Sequence, residues 1–223
     1  PAADPSETNS PRCSGSETGS APDAPRRCRR DARELLDTQN RREEILPAAA
    51  GPFESNVGPV RVIERFGSDA QKHAWLPRLV GGEIRSCFGM TEPGNSGANP
   101  LMLATRAVLD GDQWVIDGDK WFTTGADGAA LCIVMAVTEP AAPPHQRASM
   151  ILVPTDTPGY RLDRNTPIMG HTGQDLFSHG EVSFKRCRVP SANLLGGRGE
   201  GFKLAQYRLG PGRIHHCMRW LGI

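Results

Sequence analysis

The sequence predicts an α+β protein in which a central antiparallel β-barrel or sandwich lies between two helical regions. The apolar residues have a helical spacing over 58–82, alternate from residue 84 to about 194, and return to a helical spacing in the last segment. Turn signals separate the alternating runs, and no helical pattern interrupts them. We therefore expect a multidomain chain: the end of one helical domain, a complete β-domain and the beginning of a second helical domain.

The N-terminal segment has too little apolar content to fold alone. Its first 34 residues contain no Val, Ile, Leu, Met, Phe, Trp or Tyr. Because it cannot bury enough apolar surface to offset its ordering entropy, we expect residues 1–50 to be disordered or poorly ordered. Only 32–46 has the sparse spacing of a short helix. Since the chain begins without Met and stops inside a helical pattern, we expect a fragment truncated at both ends.

Residues 51–83 are expected to close the N-terminal helical domain with two short helices. Ser68 stands at the N-cap position of the second helix, and Gly81-Gly82 ends it. Because the ring of Pro77 restricts the preceding residue, we expect this helix to bend or tighten there.

Residues 84–195 are expected to form the central β-domain. Asp-Gly pairs at 110–111 and 117–118 are typical of hairpin turns, and Pro158-Gly159 predicts a further turn. The six predicted strands cover residues 84–90, 105–110, 113–125, 130–137, 148–156 and 181–189.

Residues 196–223 are expected to start the C-terminal helical domain. Their apolar residues have a helical spacing, and Gly210-Pro211-Gly212 is predicted to interrupt or kink that helix.

Composition excludes several classes of protein. The chain has 26 basic and 25 acidic residues and a net charge of +1, which argues against a nucleic-acid-binding protein. No signal peptide or membrane-spanning run is visible. The six cysteines stand singly, without a CxxC pair, so we expect free thiols and no metal site. This favours a reducing compartment, the cytoplasm or, in a eukaryote, the mitochondrial matrix.

The stretch FGMTEPGNSGANP, residues 88–100, cannot be a helix and is a poor strand, because it holds two prolines and three glycines. Two interpretations are open. It is either an ordinary surface loop, or a segment whose backbone N–H groups are left free to hold a ligand.

Four ordered motifs resemble the flavin-dependent acyl-CoA dehydrogenases over roughly residues 55–223. They are ERFGSDAQKHAWLPRLVGGEI, CFGMTEPGNSG, DGDKWFTTGADGA and HGEVSFKRCRVPSANLLGGRGEGFKLA. The final RLGPGRIHHCMR is similar to a branch that includes long-chain acyl-CoA dehydrogenase domains fused to a kinase-like domain in animals.

The resemblance implies an N-terminal helical domain, a central β-domain and a C-terminal four-helix bundle, of which this chain holds only the first helix. It implies FAD as cofactor and fatty acid β-oxidation as the setting. Acyl-CoA would be oxidised to trans-2-enoyl-CoA by α-proton abstraction and β-hydride transfer to flavin N5. The implied partners are acyl-CoA, an electron-transferring flavoprotein and further copies of the subunit, in a dimer or tetramer.

The motifs also imply site residues. Thr91 would donate to the pyrimidine edge of the flavin, Phe122 would pack on the ring, and Thr124 would approach N5. Trp121 is expected to be structural, on the opposite strand face from Phe122. The residues expected to bind FAD are Phe88, Met90, Thr91, Phe122, Thr123 and Thr124. Those expected to bind substrate are Ser96, Gly97 and Arg213, although the family usually has Ser where Gly97 stands.

The family's catalytic base is a carboxylate on the far side of the substrate from the flavin. A minority of members carry it where this chain has Gly212, and residues 202–223 contain no Asp or Glu. We therefore expect the base to lie beyond Ile223, and the affinity of this chain for FAD to be weak. Two alternatives stay open: an acyl-CoA oxidase or related flavin enzyme of the same fold, and a non-catalytic truncated remnant.

Overall fold

The structure, a computed structural model, describes residues 54–95 and 99–221. The predicted tail over 1–50 and the helix predicted over 32–46 lie outside the described residues. Within those ranges the helices are α1 (Glu54–Phe66), α2 (Asp69–Val80) and α3 (Gly201–Leu221). The strands are β1 (Ser86–Gly89), β2 (Arg106–Asp110), β3 (Gln113–Thr124), β4 (Leu131–Val137), β5 (Ala148–Pro154), β6 (Tyr160–Asn165), β7 (His179–Pro190) and β8 (Leu194–Leu195).

The start of α2 confirms the predicted N-cap. The Ser68 hydroxyl accepts from the Gln71 backbone N–H at 3.2 Å, and the Gln71 side chain accepts from the Ser68 N–H at 3.0 Å. This reciprocal pair is a capping box. Gln71 Nε2 also donates to the carbonyl of Leu194 at 2.9 Å, which ties α2 to the sheet. The helix ends before Gly81, as predicted, and Pro77 lies inside it.

The strands form one mixed sheet in the order β6-β7-β3-β2-β4-β5-β8, with β1 paired to β4. Most neighbours are antiparallel, as expected. β1 and β2 instead run parallel to β4. Parallel neighbours need a long connection, and β1 has one before β4. An alternating sequence pattern indicates which face of a strand is buried but not the direction of the strand. The sequence therefore could not reveal that β1 and β2 run parallel to β4.

Each face of the sheet buries its own core. Trp114 of β3, Val134 of β4 and Phe184 of β7 share one core. Since strands far apart in the sheet meet in this core, the sheet curves around it, in agreement with the predicted barrel or sandwich. The other face of β4 and β5 packs against the helices through residues such as Ile63 and Leu204.

The two Asp-Gly pairs differ in structure. Asp110-Gly111 forms the predicted hairpin, in which Asp110 pairs with Gln113. The turn predicted at Asp117-Gly118 is wrong, because Gly118 lies inside β3 at a register shift, with φ +144°. A Cβ there would lie 2.6 Å from Thr105 Oγ1, so the glycine serves a close approach of two segments instead of a turn.

Two further predictions need correction. β6 was not among the predicted strands, because Arg161, Asp163 and Arg164 mask its alternation, although Leu162 packs on the core of the curved sheet. The helix that was predicted to be interrupted or kinked at 210–212 is not interrupted, since α3 is continuous. None of the helices in the described ranges has the length and apolar content needed to cross a membrane.

Candidate functional site

A buried ion pair fixes the irregular segment that follows β1. Lys120 Nζ lies 2.7 Å from Glu92 Oε1, and the two side chains are 0% and 4% exposed. The Glu92 carboxylate also accepts the backbone N–H groups of Ala104 at 2.5 Å and Thr105 at 2.9 Å. Lys120 Nζ donates further to the Met90 carbonyl at 3.2 Å. The segment is therefore attached to β3 by charge-assisted hydrogen bonds.

The surroundings of this pair shift both of its pKa values. Burial raises the pKa of Glu92, but attraction to Lys120 and the hydrogen bonds to the carboxylate outweigh it, so that the pKa lies below its usual value. Burial lowers the pKa of Lys120 to about 8, although Glu92 favours the charged amine. Both groups are thus predominantly charged at neutral pH.

Thr91 lies directly beside β3. The backbone N–H of Trp121 donates to the Thr91 carbonyl at 2.7 Å. The approach is close because Gly89 has no side chain, and a Cβ there would lie 3.2 Å from Lys120 Cγ. The segment after β1 and the end of β3 are therefore neighbours.

A β-bulge changes the direction of the side chains at the end of β3. Lys120 pairs with Val182 and Thr123 with Gly180, so that two residues of β3, Trp121 and Phe122, stand opposite one residue of β7. Phe122 has φ +51° and is 42% exposed. Its ring stacks on that of Trp121, with centroids 4.7 Å apart and planes 14° apart. The expectation that these two side chains take opposite faces is wrong, because the bulge breaks the two-residue period.

The two threonines after the bulge differ in exposure. The Thr123 side chain is buried, and its hydroxyl has no hydrogen-bond partner among the described residues. Any contact from Thr123 to a ligand would come from its main chain. Thr124 is exposed, and its Oγ1 lies 3.0 Å from His179 Nδ1. A cavity of about 620 Å³ adjoins this pair and is lined by Ile168, His171, Thr172, Gly173, Gln174, Phe177 and His179.

Phe88 and Met90 point toward the helical side of the sheet. They alternate with Cys87, which belongs to the core of the curved sheet, and they pack half-buried against the helix-side core. The guanidinium carbon of Arg208 lies 4.4 Å from the centroid of the Phe88 ring.

Of the three residues predicted to bind substrate, the structure describes only Arg213. Ser96 and Gly97 lie outside the described residues. Arg213 is exposed on α3, where its Nη1 donates to Gln206 Oε1 at 3.0 Å. No hydrogen bond or ion pair within residues 54–95 and 99–221 joins Arg213 to Thr91 or Thr124.

Sequence reasoning missed Lys120, Glu92 and His179. One signal for Lys120 was present, because the two-residue period of Trp114 and Ile116 reaches it and places it on the buried face. A buried lysine requires a carboxylate partner, and that requirement would have directed attention to Glu92.

The described geometry fits a flat ligand with a polar edge. Phe122 offers an exposed aromatic face supported from behind by Trp121, and aromatic faces stack on planar rings. Thr124 offers a hydroxyl two residues along the chain. The Trp121 N–H holds the Thr91 carbonyl at 2.7 Å, and the ion pair anchors the same segment, so this part of the arrangement needs little ordering when a ligand binds.

Comparisons with known proteins agree on one family. Residues 87–187 match the sequence family described as "Acyl-CoA dehydrogenase, middle domain". The chain is 45% identical over 181 residues to the protein named "Probable acyl-CoA dehydrogenase FadE2" of Mycobacterium tuberculosis. It is 44% identical over 176 residues to acyl-CoA dehydrogenase family member 10 of Mus musculus. It is similar to the crystal structure of an acyl-CoA dehydrogenase from Geobacillus kaustophilus, with a TM-score of 0.64 and 38% identity.

The matches cover much of this chain but less of its relatives. They include 80% of this chain and 44% of the mycobacterial protein, and 75% of this chain and 16% of the mouse protein. For the Geobacillus structure the shares are 69% and 40%. The chain thus spans less than half the length of these relatives.

Proposed function

We propose that this chain, which belongs to the acyl-CoA dehydrogenase family and matches the family's middle domain over residues 87–187, is the FAD- and acyl-CoA-binding portion of a flavin-dependent acyl-CoA dehydrogenase. One observation supports this most. The exposed Phe122, stacked on Trp121, and the exposed Thr124 stand at the end of β3, where the Trp121 N–H is hydrogen-bonded to the Thr91 segment that a buried ion pair anchors.

Bound FAD would supply the hydride acceptor for oxidation of acyl-CoA to trans-2-enoyl-CoA. Phe122 would pack on the ring, and Thr124 would donate to its polar edge. His179 can hold the Thr124 hydroxyl in one orientation through the 3.0 Å contact. Phe88, Met90 and Thr91 would form the adjoining wall, and Thr123 would contribute its main chain only. The Glu92–Lys120 pair would keep this wall in place while ligands exchange.

The α-proton must be removed by a carboxylate, and α3 contains none. Glu200, immediately before α3, already accepts from the Gly197 N–H at 3.0 Å and from Lys203 Nζ at 2.9 Å. We therefore place the base outside residues 201–223. Electron-transferring flavoprotein as acceptor, assembly into dimers or tetramers, and a cytoplasmic or mitochondrial location belong to the same proposal.

Titration of the 223-residue chain with FAD tests the binding step. We expect saturable quenching of flavin fluorescence and a perturbed flavin absorption spectrum. Phe122→Gly removes the ring yet keeps the positive φ accessible, so affinity should fall by up to about tenfold. Trp220→Ala, which removes an exposed aromatic residue on α3, should leave affinity unchanged. Absence of saturable binding, or equal affinity in both variants, would contradict the proposal.

The absence of a carboxylate from α3 also favours a second candidate, a binding module without turnover. Acyl-CoA added anaerobically to the FAD-loaded chain distinguishes the two. We expect no bleaching of the flavin, because α3 offers no carboxylate to take the α-proton, and bleaching would show that a base is present. Oxygen consumption by a full-length relative without another acceptor would instead favour an oxidase.

A further inference from the structure

The Thr124 hydroxyl is hydrogen-bonded to an imidazole across the sheet. Thr124 and His179 are paired residues of β3 and β7, and Thr124 Oγ1 lies 3.0 Å from His179 Nδ1. This contact is the only hydrogen bond of the His179 side chain within residues 54–95 and 99–221. Because Thr124 is exposed, water could satisfy its hydroxyl equally well. The contact therefore matters for the direction in which the hydroxyl points.

A neighbouring pair shows what distinguishes this contact. Trp121 Nε1 donates to Thr166 Oγ1 at 3.1 Å, and since an indole N–H only donates, the direction of that hydrogen bond is fixed. The Thr166 N–H donates to the His179 carbonyl at 2.8 Å, which holds the main chain beside the imidazole. Imidazole differs from indole, because its Nδ1 donates when the ring is charged and accepts in the Nε2–H tautomer. The Thr124 hydroxyl thus faces a partner that can reverse the hydrogen bond.

The surroundings of His179 leave its charge free to follow pH. The side chain is half-buried and lines the cavity of about 620 Å³, where its ring can exchange protons with solvent. No ion pair joins it to a carboxylate in the described part of the chain. The charged groups on the neighbouring elements have other partners: Glu181 with Arg164, Asp175 with Arg85, and Asp127 with Asn165. A second histidine, His171, lines the same cavity and is exposed.

We propose that His179 is a positioning residue that sets the direction in which the Thr124 hydroxyl donates. With the imidazole charged, Nδ1–H donates to Oγ1, and the hydroxyl proton is left for an acceptor on the polar edge of the flavin. With the imidazole neutral, Nδ1 accepts the hydroxyl proton and withdraws it from that edge. The inference rests on the proposed function, which places the ring edge at Thr124. FAD should therefore bind more tightly when His179 is charged.

The first test needs no flavin. Nitrogen-15 NMR of the 223-residue chain follows the two ring nitrogens of His179, assigned by their loss in His179→Asn, as the pH is raised from about 5.5 to 8. We expect the proton to leave Nδ1, because Thr124 then donates to this atom, and we expect Thr124→Val to weaken the preference. A neutral imidazole that keeps its proton on Nδ1, or an unchanged tautomer ratio in Thr124→Val, would overturn the inference.

The second test compares FAD affinity at the two ends of this pH range by fluorescence titration. We expect affinity to fall by about three- to tenfold as the imidazole loses its charge, the equivalent of one net hydrogen bond. In His179→Asn the amide group donates to Thr124 at every pH, so most of the pH dependence should disappear while binding is retained. Thr124→Val should bind more weakly, with the same reduced dependence. His171→Asn, the matched change at the same cavity, should keep the full dependence.

Lys120 also titrates in this range, because burial lowers its pKa to about 8. It is present in every variant, so its contribution cancels when the profiles are compared. If FAD binds with one pH profile in the unmodified chain and in His179→Asn, or if His171→Asn reduces the dependence instead, the inference is overturned and the proposed function stands. If FAD does not bind but the NMR result is as expected, the orientation of Thr124 by His179 stands and the proposed function fails.

Discussion

Replacing Lys120 by Met should destabilise the fold by about 3–5 kcal/mol, the cost of breaking a buried ion pair from one side. The side chain is fully buried, so methionine fills the volume but leaves the Glu92 charge without its cation. Three donors to the carboxylate survive, from Ala104, Thr105 and Asn95, which places the expected loss toward the lower limit. For a domain of this size the melting temperature should fall by about 10 °C.

The assay is thermal and urea unfolding followed by near-ultraviolet circular dichroism, on Lys120→Met, Glu92→Gln and the double variant. Because the double variant contains no buried charge, it should be more stable than the sum of the single changes predicts, by about 1–3 kcal/mol. Lys185→Met on β7 is the control, since this lysine is exposed and its loss should cost less than about 0.5 kcal/mol. A Lys120→Met variant as stable as the control, or additive single changes, would refute the reasoning.

Three further predictions follow from other contacts. Gly118→Ala should lower the free energy of unfolding by about 1–3 kcal/mol, because the positive φ disfavours a side chain and the new Cβ meets Thr105. Stability should fall as pH decreases below the ordinary value of 4.5 for Glu92, because its pKa is lower in the folded state, and Glu92→Gln should flatten this dependence in unfolding titrations. Ser68→Ala should cost about 1 kcal/mol in urea unfolding by removing the cap on Gln71.

Each of these has an outcome that contradicts it. Gly94→Ala serves as the control for Gly118→Ala, because nothing lies within 4 Å of a Cβ at Gly94, and equal stability of the two variants would argue against crowding. A Glu92→Gln profile as steep as that of the unmodified chain would assign the acid transition to other carboxylates. If Ser68→Ala leaves the urea unfolding transition unchanged, the cap contributes no stability beyond that of the packing of α2.

The features that the sequence predicted correctly are those whose signals are local. The Ser68 cap, the Asp110-Gly111 hairpin and the run of alternating strands each depend on a few neighbouring residues. Asp117-Gly118 carries the same dipeptide as the true hairpin. It forms no turn because Thr105 approaches from an adjacent segment and favours a bulge within one long strand.

In the candidate site, too, local signals predicted the residues, and contacts with distant segments decided their arrangement. The resemblance named Phe122 and Thr124, and both are exposed at the end of β3. Their orientation depends on the bulge, which follows from the register with β7 and not from the letters KWFTTG. The partners of Lys120 and Arg208 depend on segments far away in the chain. Local patterns report which residues are buried, and they do not report what a buried charge meets.

The parallel pairing of β1 with β4 affects the order in which segments of the chain fold during synthesis. Ser86–Gly89 finds its neighbour only at Leu131–Val134, and the carboxylate at Glu92 finds its cation only at Lys120. Until the ribosome has made β4, β1 lacks the strand with which it pairs. Its shape is therefore settled only after β4 has left the exit tunnel, and the entropy of closing that long loop is incurred first.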